Sequence, residues 1–114
     1  MKWESIKMSS ALAERVPADS GVYAISEVNR IHGMPFISGV IYVGKSNNLK
    51  RRFKEHNDPW REHNEVLNDK TMSGELEFWF LKISIKKMDT LEKQLINEMS
   101  PLTNKIRYRG YKNV

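Results

Sequence analysis

The sequence predicts a small α+β sandwich whose central three-stranded antiparallel sheet is flanked by helices, in the order α-β-β-α-α-β-α. Three observations predict it. The length of 114 residues fits one domain with one core. Short segments rich in β-favouring residues alternate with segments of helical period. Because no long apolar run and no cysteine is present, a membrane-spanning helix and a disulfide framework are both excluded.

The first half predicts one short helix and two strands. We expect residues 1–8 to be a loosely anchored leader, followed by a short helix that begins at Ser10 and ends before Pro17. Residues 21–25 (GVYAI) and 40–44 (VIYVG) have strand composition. The polar stretch between them contains turn-forming residues, so the two strands are expected to form an antiparallel hairpin with a long loop.

A basic helix is predicted after the second strand. Ser46 or Asn47 can cap it, and Leu49, Phe53 and His56 mark one apolar stripe at helical spacing. Another helix is expected over residues 60–69, because Asp58 can cap it and a proline follows at the first turn.

The third strand and the last helix occupy the remaining predicted core. Residues 74–85 alternate in hydrophobicity and then slip in phase, which predicts either a bulge or burial of both faces. Asp89 is expected to cap a final helix over residues 90–99, which a proline ends. The residues at i, i+4 and i+8 that should face the core are Leu91, Leu95 and Met99.

The charge distribution indicates a polyanionic partner. Lysine and arginine number 19 against 14 acids, which gives a net charge of +5. Residues 45–54 and 105–114 are basic and contain no acid, and a basic surface of this kind is typical of nucleic-acid binding. Apart from Arg52, the predicted phosphate contacts are Lys45, Lys50, Arg51, Lys54, Lys105, Arg107, Arg109 and Lys112.

The motifs of several common enzyme and nucleotide-binding sites are absent from the sequence. The sequence contains no phosphate-binding GxxxxGK[ST] loop, no dinucleotide glycine triplet, no HExxH and no GxSxG. The amino-terminal residues are charged and have no apolar signal core, so an intracellular location, cytoplasmic or nucleoid-associated, is expected.

Tyr23 and Tyr42 each lie beside a glycine in a predicted strand. A tyrosine hydroxyl transfers protons poorly unless a neighbour assists it, and glycine lets a backbone approach closely. Tyrosine is also an ordinary strand residue, so these two positions alone do not distinguish a catalytic from a structural role.

Three further side chains have both a chemical and a structural explanation. Arg52 and His56 are four residues apart and share a helix face, where an arginine can bind a phosphate and offset developing charge; the alternative is a solvated basic face. Glu92 can hold Mg²⁺ together with phosphate oxygens and water, or can complete a capping box with Asp89.

In their order along the chain these segments resemble the GIY-YIG nuclease superfamily. The likeness covers about residues 17–105, with GVY matched at 21–23, YVG at 42–44, and the basic helix and LEKQLINEMSPLTN following. A single domain over 1–114 is therefore expected, with residues 106–114 as a basic tail. Eighteen residues separate Tyr23 from Tyr42, a longer spacer than the family usually has.

The resemblance implies a metal-dependent endonuclease that cuts phosphodiester bonds in DNA with one Mg²⁺ or Mn²⁺ ion. Glu92 would bind the metal, and Arg52 would stabilise charge on the phosphate. Tyr23, assisted by Tyr42, Lys45 or His56, would activate the attacking water. Asn104 matches the family's late asparagine and is expected to contact the nucleic acid. Two alternatives stay open: a weakly catalytic or non-catalytic nucleic-acid-binding module, and an interaction protein whose positive charge is incidental.

Overall fold

A computed structural model describes residues 2–58 and 75–101, without the side chains of 29–31 and 35–38. The α+β class is confirmed, but the antiparallel sheet has four strands rather than three, in the spatial order β1-β4-β2-β3. The predicted helix over 60–69 lies outside the described residues. The elements are β1 (Glu4–Lys7), a 3-10 helix (Ser10–Arg15), β2 (Gly21–Ile31), β3 (Met34–Ser46), α1 (Leu49–His56), β4 (Glu75–Lys82) and α2 (Ile85–Met99).

The additional strand is β1, which the sequence predicted to be a loose leader. Its residues pair with β4 at the edge of the sheet, and Ile6 lies opposite Phe78. Ile6 of β1 and Trp3, the residue before β1, pack against different faces of the sheet. The pairing of β1 with β4 is made by backbone hydrogen bonds, which form whatever the side chains are. The strand therefore leaves no pattern of hydrophobic alternation in the sequence.

The hairpin of β2 and β3 is longer than predicted, and most of the expected loop is strand. A two-residue turn at His32 and Gly33 joins the strands, with φ angles of 52° and 84°. Positive φ at both positions is the geometry of a type I′ turn, whose twist matches that of the strands. The register shifts twice along the hairpin, and one shift lies beside Ile41, so that Ile41 and Tyr42 both pack into one cluster.

Apolar residues cover both faces of the sheet. One face packs against α1 and the 3-10 helix, in the cluster that contains Tyr23, Phe53 and Phe78. The other face packs against α2 through Val22, Val43, Leu81 and Leu91. The phase slip of β4 is therefore burial on both faces, because its pairing with β1 and β2 runs without a register shift.

Both main helices begin elsewhere than predicted. Asn48, not Ser46 or Asn47, caps α1, and its side chain accepts a hydrogen bond of 3.0 Å from the Arg51 amide. Helix α2 begins at Ile85, a turn before Asp89, because Met88 extends its apolar stripe backwards. Met99, predicted to face the core, is 45% exposed. No helix within 2–58 or 75–101 is long and apolar enough to cross a membrane.

Candidate active site

The Tyr23 hydroxyl is the centre of a buried polar cluster. The oxygen lies 2.7 Å from Nε2 of His56 and accepts a hydrogen bond of 3.2 Å from Nε of Arg52. Tyr23 and His56 are each only 1% exposed. The buried hydroxyl and the two side chains from α1 therefore form one polar network whose members satisfy one another.

Helix α1 places Arg52 and His56 against this hydroxyl. Leu49 and Phe53 are fully buried, and they fix the rotation of the helix so that the Arg52–His56 face lies on the sheet. The alternative of a solvated basic face is therefore wrong for these two residues. It holds for Arg51, which is exposed and donates to the Asn47 side chain at 2.9 Å.

The two motif glycines make room for this packing. Gly44 lies directly opposite Tyr23 in the hairpin, and a Cβ there would be 2.5 Å from the tyrosine Cζ and 2.5 Å from its oxygen. A Cβ on Gly21 would be 2.3 Å from the Leu81 carbonyl oxygen and 2.8 Å from Cδ1 of Leu49. Glycine at both positions lets the Tyr23 ring and α1 approach the backbone.

Tyr42 completes the aromatic part of the cluster from the neighbouring strand. Its ring centroid is 6.0 Å from that of Tyr23 and 5.4 Å from that of His56. Tyr42 is 4% exposed and lies on β3, which is an edge strand of the described sheet, whereas Tyr23 lies on a central strand. Of the two tyrosines, Tyr42 is therefore the nearer to solvent.

The environment of Tyr23 favours its neutral form. Burial, followed by the neighbouring Tyr42, raises the pKa of Tyr23 well above its usual value near 10, and Arg52 opposes this rise. Since Arg52 can only donate, the Tyr23 hydroxyl uses a lone pair toward it and keeps its own proton for another acceptor. If that acceptor is Nε2 of His56, the imidazole carries its proton on Nδ1.

A second polar cluster joins β3 to α2. The ammonium of Lys45 forms an ion pair with Asp89, and lies 3.9 Å from Oε1 of Glu92. Lys45, followed by Lys93, holds the pKa of the Asp89 carboxyl below its usual range. Asp89 lies inside α2 and Ser84 occupies the cap position, so the capping-box explanation of Glu92 is wrong.

Strand β3 connects the two clusters. Tyr42 is paired with Ile25 and Lys45 with Val22, so their side chains leave the strand on opposite faces. The tyrosine cluster lies under α1 and the lysine–carboxylate cluster lies beside α2, with two residues of an edge strand between Tyr42 and Lys45. The two clusters therefore border the same end of the β3 edge.

The sequence matches the model of the GIY-YIG catalytic domain over residues 19–107. The chain belongs to the GIY-YIG family. The fold is similar to that of the GIY-YIG N-terminal endonuclease domain of UvrC from Thermotoga maritima in its magnesium-bound form. The two sequences are 22% identical, and the TM-score is 0.58. The match covers 82% of this chain and 91% of that chain. A Tyr-to-Phe variant of that domain, bound to its catalytic divalent cation, is 21% identical and has a TM-score of 0.57, with 82% of this chain and 90% of that chain covered. No curated protein matches the sequence.

The site residues expected from the sequence of this GIY-YIG domain fall into four groups. Tyr23, Tyr42, Arg52 and His56 meet in the tyrosine cluster, and Lys45 and Glu92 meet in the second. Lys50 pairs with Glu14 at 3.2 Å, away from both, and Lys54 is exposed. The expected contacts that lie outside the described residues are Asn104, Lys105, Arg107, Arg109 and Lys112.

Sequence reasoning missed two carboxylates in this GIY-YIG domain. Oε1 of Glu55 accepts a hydrogen bond of 3.3 Å from Nη1 of Arg52, and Asp89 pairs with Lys45. Each lies three residues from a motif position, Glu55 after Arg52 and Asp89 before Glu92, so each shares a helix face with it. That spacing was the available signal, and it was assigned to capping for Asp89.

Proposed function

We propose that this GIY-YIG domain is a metal-dependent endonuclease that hydrolyses phosphodiester bonds in DNA. The observation that supports it most is the convergence of Arg52 and His56 on one buried hydroxyl, that of Tyr23. A structural role alone would not require an arginine and a histidine to meet at that atom. The neighbouring Lys45–Glu92 cluster supplies the carboxylate that such chemistry needs.

Glu92 fits the role of metal ligand. Its side chain is 17% exposed, so solvent and substrate reach it, and the Lys45 ammonium already lies beside it as a cation. Mg²⁺ is commonly held by one or two carboxylates, with water and phosphate oxygens as the other ligands. A bound divalent cation would supply Lewis acidity toward the phosphate and the leaving oxygen. One ion is the number that a single matched carboxylate supports.

The side chains of the tyrosine cluster divide the remaining tasks. Tyr23 keeps its proton and fixes the positions of Arg52 and His56. Tyr42, on the edge strand, takes the proton of the attacking water when its hydroxyl is ionised, and His56 orients the hydroxyls through its ring nitrogens. Arg52 binds the phosphate as a preorganised donor while charge accumulates on it.

A nucleic-acid-binding module without useful turnover is the second candidate. One observation favours it: Lys45 already pairs with Asp89 and lies near Glu92, so these carboxylates have a cation without a metal. Such a module would keep the basic surface and would bind DNA whether or not Mg²⁺ is present. Metal-dependent nicking of a plasmid separates the two candidates.

Glu92→Gln tests the proposal. The substitution keeps the shape of the side chain and removes the charge that holds a hard cation, so cleavage in Mg²⁺ should be abolished while folding and metal-free DNA binding persist. Glu98→Gln is the matched control, since Glu98 lies on the same helix, is exposed, and gives the same change in net charge. Mn²⁺ affinity, measured by electron paramagnetic resonance, should fall only in Glu92→Gln. Wild-type cleavage by Glu92→Gln would contradict the metal assignment.

A further inference from the structure

A groove of about 590 Å³ lies where β1, β4 and the beginning of α2 meet. Phe80 and Leu81, which are almost fully buried, contribute to its floor together with Ile83. The polar residues of the groove are Lys2, Glu4, Lys82 and Lys87. None of them belongs to the clusters described above.

The groove is positively charged and its lysines are available. Lys2, Lys82 and Lys87 are exposed, and none forms an ion pair with another residue within 2–58 or 75–101. One carboxylate, Glu4, faces three ammonium groups, so the groove carries a net charge of about +2. Lys87 lies in the first turn of α2, where the helix dipole disfavours a cation and a bound anion would offset it.

The sheet register places this groove close to the proposed active site. Gly21 of β2 is opposite Lys82 on one side and opposite Ser46 on the other, so two strand spacings separate Lys82 from the residue after Lys45. Two spacings are about 10 Å. One strand of B-DNA advances about 3.4 Å along the helix axis per nucleotide and also turns around that axis, so this distance corresponds to at most about three nucleotides.

We propose that the groove binds the phosphodiester backbone of the substrate strand within about three nucleotides of the bond that is cut. This rests on the proposed nuclease function and adds a contact on the side of the sheet opposite to the β3 edge. Lys82 and Lys87 make the phosphate contacts, and Lys2 extends them along the β1 edge. The groove reads no bases, so it contributes affinity and position rather than sequence preference.

Two double variants with equal net charge test the groove. Lys82→Gln/Lys87→Gln removes its cations. Lys7→Gln/Lys86→Gln, the control, also removes one exposed lysine from a strand and one from the first turn of α2, and neither of these lines the groove. Binding of a 30-nucleotide duplex is measured by fluorescence anisotropy in EDTA over a range of salt concentrations. The slope of log affinity against log salt should become shallower by roughly 1 to 2 in the groove variant and hardly change in the control.

A cross-link locates the contact. The chain has no cysteine, so Lys82→Cys gives a single site for a photoreactive thiol reagent, with Lys7→Cys as control. Lys82→Cys should cross-link within about three nucleotides of the cleaved bond. If the slope of log affinity against log salt is equal in the two double variants and the wild type cuts DNA, the proposed role of the groove is contradicted and the nuclease proposal stands. A wild type that neither binds nor cuts DNA would overturn both.

Discussion

Tyr23 combines three constraints on one hydroxyl. It fills space opposite a glycine, it accepts from Arg52, and it bonds to His56. Each constraint fixes a different partner, so the hydroxyl sets the geometry of the whole cluster. Its raised pKa keeps it neutral at physiological pH, which suits a positioning group better than a base.

Tyr23→Phe should reveal the raised pKa of Tyr23 in the pH dependence of the unfolding free energy. At neutral pH the variant loses the hydrogen bonds of the hydroxyl, at a cost of about 1–3 kcal/mol. Above pH 10 an unfolded tyrosine ionises while folded Tyr23 keeps its proton, so wild-type stability declines by up to about 1.4 kcal/mol per pH unit from this group alone. The difference in unfolding free energy between wild type and variant should therefore be constant below about pH 9 and narrow above pH 10. Urea unfolding from pH 7 to 11 measures it, and a difference that stays constant or widens above pH 10 contradicts the assignment.

Arg51 and Arg52 provide a matched pair for separating chemistry from binding. Arg52→Ala should lower single-turnover cleavage by roughly 10²–10³-fold, the scale of losing one preorganised donor to developing charge. Arg51→Ala should lose only a modest, salt-sensitive part of binding, because Arg51 is exposed. Arg52→Lys should restore activity in part, since an ammonium lacks the guanidinium fork. Equal defects in both alanine variants at saturating enzyme would mean that α1 is only a charged surface.

At the residue scale, the sequence predicted which side chains belong to the clusters better than it predicted the contacts that hold them there. The grouping of Arg52 with His56 followed from helical spacing, and both reach the same hydroxyl. The contact of the Lys45 side chain with the carboxylates of α2 could not be predicted, because it depends on where α2 packs against β3. The pairing of Asp89 was hidden by a plausible cap, since a helix start is the least certain boundary in a sequence pattern.

The hairpin is the element that holds the active-site aromatics. Its two strands place Tyr23 opposite Gly44. A register shift beside Ile41 lets the side chains of Ile41 and Tyr42 both pack into the core cluster that contains Tyr23. Beyond Val28 the hairpin continues as a two-stranded ribbon, since the described residues of β4 pair only with Gly21 to Val28. This ribbon lies away from the strand segments that hold Tyr23 and Tyr42.

Gly44→Ala should disturb this element more than a single methyl group suggests. The new Cβ would lie 2.5 Å from the Tyr23 ring and 2.9 Å from Cε2 of Tyr42, so one of the rings must move. Overpacking of this kind costs about 1–3 kcal/mol. Urea unfolding measures the loss, and the near-ultraviolet circular dichroism of the tyrosines should change with it. A variant with unchanged stability and spectrum would show that the strand has room for the methyl group.

Element boundaries were predicted less well than element types. The β2–β3 pairing, the burial of both faces of β4 and the end of α2 before Pro101 are as expected. The second half of the hairpin was missed because its turn, His32–Gly33, lacks the usual Asn-Gly or Asp-Gly signal. β1 was missed because its stabilisation comes from backbone hydrogen bonds to a strand far along the sequence.

At the scale of the whole molecule, positive charge is concentrated at the start of α1, in the groove beside β1 and, in the sequence, over residues 105–114. Neutralising Lys105, Arg107, Arg109 and Lys112 together should weaken DNA binding and make the slope of log affinity against log salt shallower by up to roughly 3.6, if each cation neutralises one phosphate. Anisotropy titrations over a range of salt concentrations check it. An unchanged slope would show that the tail contributes no phosphate contacts.

The pairing of β1 with β4 has a consequence for how the chain is made. Glu4 lies opposite Phe80, 76 residues further along the chain. At a synthesis rate of about 5–20 residues per second, β1 leaves the ribosome several seconds before the strand that it pairs with exists. The β2–β3 ribbon, whose strands are neighbours in sequence, can form within microseconds of its emergence. The nascent protein therefore holds a finished hairpin and an unpaired β1 until residue 82 has emerged from the ribosome, when the most distant contact in the described sheet can close.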